Sequence, residues 1–163
     1  MCAVDCRLVD GFPGTHKIAM RLLMTLFIAV GAYAVFLHSS AWGWIYVAVV
    51  VLGQALLVLP NLCGHCPYPH EHNDCLLMPA GLVRKLIPYG GPEIGKGGRL
   101  AMVMGGAGSV LIPQFWLFRE PMLLLLFWAA LLPFLAYFML YLCKRCRHTG
   151  CPANRVPETE IQG

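Results

Sequence analysis

Apolar residues dominate four stretches of the chain, residues 18–37, 42–59, 100–117 and 122–142. A bilayer core about 30 Å thick needs about 20 such residues in a helix, with about 17 as the lower limit, so each stretch predicts a membrane-spanning helix. The links His38-Ser39-Ser40-Ala41 and Phe118-Arg119-Glu120-Pro121 have room only for tight turns, and the spans therefore pair as two helical hairpins. Pro121 suits the first turn of the fourth span, where its missing N–H costs nothing. The expected fold is all-α: a single membrane domain over residues 1–163 with four transmembrane helices.

Composition supports the bilayer. The chain is 58% hydrophobic and 12% charged, with mean hydropathy +0.66, whereas about a quarter of a soluble domain is charged. Its net charge of +4 does not form an aromatic-interleaved basic patch, so nucleic acid is not an expected partner. The cations sit instead at the ends of the apolar runs and report topology. Arg7, Lys17, Arg21, Arg84, Lys85, Lys96, Arg99, Lys144, Arg145, Arg147 and Arg155 share one side, and Arg119 stands alone on the other. That asymmetry predicts a multi-pass protein of the cell membrane with both termini in the cytoplasm, where the segments 1–17, 60–99 and 143–155 form a cysteine-rich cap. Trp42, Trp44 and Trp116 then mark the outer interface, and residues 156–163 are expected to be disordered. Ala32-Tyr33-Ala34 offers a cleavage-like site after the first run, but that run is too long for a signal peptide.

Several function classes lack their residues. Apart from Arg21 near a span end, no ionisable group lies deep in a span, which argues against a pump or an ion-coupled transporter. No histidine pair is placed to hold haem. Gln54, the clear polar residue in mid-span, is expected to make a helix-contact hydrogen bond. The run from Gly90 to Gly98 has phosphate-loop spacing, but Gly97 replaces the hydroxyl that would hold magnesium and no strand precedes it, so nucleotide binding is rejected. No nucleophile with an adjacent base appears either. Residues 80–87 read as a short amphipathic segment on the cytoplasmic interface, meeting the lipid bilayer through Arg84 and Lys85. Pro113 and Pro133 are expected to kink their helices.

The chemistry rests with the cysteines. Each hairpin ends in the same signature, Leu62-Cys63-x-x-Cys66 and Leu142-Cys143-x-x-Cys146, eighty residues apart, and a third thiol follows at Cys75 or Cys151. Two readings of this spacing stand: a tandem repeat with a site between its halves, or two helices that end independently in the same pair. A CxxC turn lets two sulfurs face one metal, and Cys2 with Cys6 brings the total to eight, enough for two four-thiolate sites. Pro67 and Pro152 each follow a cysteine, as at the edge of ferredoxin cluster motifs. Lys144, Arg145 and Arg147 favour the thiolate form. His65, His70, His72, His148 and His16 are further candidate ligands. In a reducing cytosol structural disulfides are disfavoured, although either CxxC has the form of a thiol-redox pair.

The pattern Cys63-x-x-Cys66-Pro-Tyr with Cys75, then Cys143-x-x-Cys146-Arg-His-x-x-Cys151-Pro-x-Asn154, resembles a group of small cysteine-rich multi-pass membrane proteins of anaerobic bacteria and archaea. No activity is established for that group, so the resemblance implies an architecture and a cysteine pattern without a mechanism. Three functions are expected in turn. First comes an iron–sulfur or other metal-binding protein passing electrons between a soluble redox partner and a membrane carrier or subunit. Next is a zinc-stapled structural or assembly subunit, and last a thiol-redox or soft-metal handling protein.

Overall fold

The computed structural model describes residues 11–91, 93–146, 151, 154 and 156. All regular structure among them is helical. In chain order the elements are α1 (Gly14–His38), α2 (Ser40–Cys63), the short α3 (Pro67–Glu71) and α4 (Ala80–Leu86), then α5 (Lys96–Leu117) and α6 (Pro121–Leu142). The four long helices are apolar enough to cross a membrane and contain the four apolar runs. Leu22, Leu56, Leu100, Val103, Met122 and Leu125 lie exposed on their outer faces. Apolar surface of that extent is stable only against an apolar solvent such as lipid.

The turns follow from local chemistry. The four-residue link expected between the first two spans narrows to Ser39, whose extended backbone (φ −163°) reverses the chain and whose hydroxyl accepts from the Trp42 N–H at 3.4 Å. That side chain satisfies one of the orphan donors at the start of α2. Pro121 sits in the first turn of α6, where no intrahelical donor is required.

α1 is the organising helix. Its Phe27, Val30 and Ala34 pack against Phe127, Ala130 and Leu131 of α6, and Val35 packs with Tyr46 and Val50 of α2. α2 in turn lies along α5. The helices of the second hairpin meet chiefly beside their turn, so the two hairpins interlock instead of standing side by side.

Close approach is set by small residues. A Cβ on Gly105 would lie 2.8 Å from Val58 Cγ2 and 3.1 Å from the Gly53 carbonyl oxygen, so α5 can touch α2 there only without a side chain. Gly105→Val is expected to destabilise the bundle by about 1–3 kcal/mol, the usual cost of overpacking, as read by denaturant titration in detergent micelles.

Pro113 interrupts α5 after Leu111. Proline lacks the N–H that would bond four residues back, which orphans the Ser109 carbonyl. The Tyr46 hydroxyl donates to that oxygen at 2.9 Å. Gln54 Nε2 donates to Ser109 Oγ at 3.4 Å, so the mid-span amide joins two helices as expected. Gly31 makes room for this junction, since a Cβ there would stand 2.9 Å from Tyr46 Oη.

α2 and α6, the two helices that end in a CxxC, share one irregularity. Each widens into a π-helical segment on the cysteine side of its passage, Gly53–Val58 in α2 and Tyr137–Leu142 in α6. One extra residue in a turn rotates everything after it by about 100° relative to an α-helix.

Candidate thiolate centre

The α2 helix stops at Cys63, and a turn in which the Cys66 N–H donates to the Cys63 carbonyl at 3.4 Å swings the second cysteine inward. Pro67 then starts α3, whose carbonyl at Tyr68 accepts from the N–H groups of His72 and Asp74 at 3.2 and 3.0 Å. That fold-back returns the chain to α2 and brings Cys75 into hydrogen-bonding contact with the Cys63 thiol. The amphipathic segment forms α4, and its buried Ala80 and Val83 pack on Cys63 and Cys75 from behind.

The second hairpin ends similarly. The Cys143 N–H reaches back to the Phe138 carbonyl at 3.0 Å, closing the π segment, and the Arg145 N–H donates to Leu142 at 3.1 Å. Asn154 then links the last two cysteines: its side-chain amide donates to the Cys146 carbonyl and its backbone N–H to the Cys151 carbonyl, both at 3.0 Å. The asparagine of the Cys151-Pro-x-Asn154 pattern is therefore a tie between the two cysteine segments.

Both sets of three thiols open on one cavity. A space of about 80 Å³ is lined by Cys63, Cys66, Cys75, Cys143, Cys146 and Cys151, with Phe12, Tyr68, Leu76, Phe138 and Leu142 supplying apolar wall. The six described cysteines thus line a single chamber between the halves. Cys2, Cys6 and His148 lie outside the described residues, as do residues 157–163. His65, His70 and His72 do not line the chamber. His65 Nδ1 pairs with the Gly91 carbonyl at 2.8 Å, His70 packs against the Tyr89 ring, and His72 packs against Tyr68.

The electrostatics are those of crowded thiols. Burial, helped by the nearby sulfurs of Cys146, Cys75 and Cys151, pushes the Cys66 thiol up to about 12, against a lowering contribution from the Tyr68 backbone N–H. Cys75 moves the other way: the Cys63 thiol donates to it, the N–H groups of Met78 and Leu77 add to that, and the Arg21 guanidinium lies nearby. Converting these buried thiols to thiolates together is costly without a cation among them, because like charges gathered away from bulk water repel strongly.

The sequence shows Arg21 only as a topological charge and gives no role to Asp74, and the structure gives both positioning roles. Arg21 of α1 donates through Nε to the Leu76 carbonyl and through Nη2 to the Cys75 carbonyl, each at 3.2 Å. Asp74 accepts from the Phe12 N–H at 2.7 Å and pairs with Lys17. These contacts fasten the Cys75 loop to the start of α1. The signal was an arginine four residues inside an apolar run, where a charge needs a partner.

Among the described residues, no three His, Cys, Asp or Glu side chains close on one point tightly enough to hold a single metal ion. Comparison of the chain with protein-family models, with curated proteins and with solved structures gives no match, so the functional reading rests on this geometry.

Proposed function

We propose that the chain is an integral membrane protein whose cysteines hold an iron–sulfur cluster, and that it passes electrons between a soluble partner and a carrier or subunit within the bilayer. The observation that carries this reading is the meeting of six thiols, three from each half, on one cavity. A lone tetrahedral zinc ion draws sulfur to about 2.3 Å, which sets the sulfurs about 3.8 Å apart. The six thiols lack that convergence among the described residues, and they surround a space of about 80 Å³. One water-sized body needs only about 10–15 Å³ by the same kind of measure. Six thiols around one chamber suit a polynuclear centre, which takes its thiolates on its outside; four ligands suffice for such a cluster. When bound, it would supply one-electron transfer at a potential set by burial and by hydrogen bonds to the sulfurs. The eleven-to-one distribution of cations supports a cytoplasmic position for the chamber.

Anaerobic purification followed by a visible spectrum and assays of iron, acid-labile sulfide and zinc tests the proposal. Expected are a coloured protein and matched iron and sulfide. A colourless protein with stoichiometric zinc would replace electron transfer with a structural staple. One observation favours a further reading: the Cys63 and Cys75 side chains, in hydrogen-bonding contact with each other, have the form of a dithiol couple. Metal-free protein in which these two sulfurs titrate as a disulfide would establish that chemistry instead.

A further inference from the structure

A second concavity lies on the lipid-facing side of the bundle, between α1 and α6. It encloses about 550 Å³ and is walled by His16, Ala19 and Leu23 of α1 and Pro133, Ala136 and Tyr137 of α6. Ala19, Pro133 and Ala136 are exposed, and the small side chains leave the groove open toward the acyl chains. The seven helical steps from His16 to Leu23 give it a length of about 10 Å along the helix. Its polar end lies at the cysteine-side termini of both helices, and its apolar end runs deeper into the span.

At the polar end the Tyr137 hydroxyl and His16 Nδ1 form a hydrogen bond, and the Tyr141 ring stacks on His16 with centroids 5.4 Å apart. A neutral imidazole and a phenol carry two polar protons, and their mutual bond uses one. Whichever tautomer holds, one N–H or O–H donor remains unspent. A lipid tail has no use for that donor. A flat, apolar ring bearing carbonyl oxygens does.

The groove and the cysteine chamber share a wall. Tyr137 lines the groove, its neighbour Phe138 and Leu142 of the same π segment line the chamber, and fully buried Met20 packs with Leu142 between them. We propose that this groove binds the ring of a lipid-soluble quinone, one carbonyl oxygen of which accepts a hydrogen bond from the His16–Tyr137 pair. Resting on the electron-transfer reading, the proposal names the class of the membrane carrier: a quinone would sit one layer of side chains from the thiols and reach its site through the bilayer.

The test uses the full chain in quinone-free phosphatidylcholine vesicles, an azido-1,4-naphthoquinone photolabel, and peptide mapping by mass spectrometry. Label is expected within residues 14–23 and 133–141, competed by unlabelled 2-methyl-1,4-naphthoquinone. His16→Phe/Tyr137→Phe, which removes both donors and keeps the rings, should raise the half-competing concentration at least about tenfold, equivalent to about 1.4 kcal/mol. Ala136→Leu, which fills the open floor without touching the core, should do the same and covers the case in which the double variant fails to fold. Label spread over the lipid-facing surface, or folded variants with unchanged competition, would overturn the proposal. Iron and sulfide measured on the same vesicles separate the two readings. A cluster without groove labelling sinks the quinone and spares the cluster; groove labelling in metal-free protein does the reverse.

Discussion

Cys143→Ser is expected to remove the whole metal centre and not half of it. The two CxxC motifs lie eighty residues apart, and independent half-sites would leave the first trio loaded after a change in the second. The chamber argues otherwise, since Cys63, Cys66 and Cys75 face Cys143, Cys146 and Cys151 across about 80 Å³ and no trio converges by itself. Cys66 lies near enough to Cys146 and Cys151 that their charges raise its pKa. A shared centre loses ligands and charge balance together, so iron and sulfide per chain should fall to about a tenth or less of the wild-type content. Cys63→Ser should match it. Retention of about half the iron in either variant would show two separate sites. Serine is nearly isosteric with cysteine, and the helix-packing clusters around Phe27 and Tyr46 do not include these residues, so inserted and folded protein should still be recovered, as checked by detergent-solubilised gel filtration.

Arg21→Leu carries the second large effect. Its guanidinium spans two carbonyls of the Cys75 loop, and hydrogen bonds to charged groups contribute about 1.5–3 kcal/mol each in net terms. Leucine preserves the apolar stem and leaves those carbonyls without a donor. Groups that orient metal ligands from behind usually change affinity about 10–100-fold when removed, so metal retention against a chelator should drop by that factor. Arg21→Lys offers a single point of charge in place of a fork and should recover only part of the loss. Were Arg21 solely a topological charge, lysine would restore retention fully and leucine would alter insertion instead. Chelator challenge and a protease-accessibility assay on the same membranes distinguish these outcomes.

The four helices were legible because the bilayer imposes one dominant requirement, an unbroken apolar run of sufficient length, and that requirement is written locally. The hairpin turns were legible for a similar reason: Ser39 and Pro121 act through their own backbone or side chain within a few residues. Gln54 and Pro113 were also visible as exceptions within apolar runs, though their meeting at Ser109, whose hydroxyl accepts from Gln54 and whose carbonyl, freed by Pro113, accepts from Tyr46, was not. The histidines of the polar loop show the limit of spacing arguments. His65, His70 and His72 have ligand chemistry, yet none of them lines the thiol chamber: His65 pairs with Gly91, and the rings of His70 and His72 pack on Tyr89 and Tyr68, with the buried His70 Nε2 left without a hydrogen-bond partner among the described residues. Nothing in their local pattern distinguishes those roles.

By itself, the sequence determined the class of the protein, its four spans and the gathering of thiols at matching helix ends, because hydropathy, turn chemistry and CxxC spacing act over short distances along the chain. Only the tertiary structure decided that the two trios share one chamber. That outcome depends on the interlocking of the hairpins around α1, on the fold-back held by Arg21 and Asp74, and on π segments that turn α2 and α6 by about 100° before their cysteines. A 3.6-residue period carries no trace of such a rotation, and contacts across fifty or more residues leave no spacing to read.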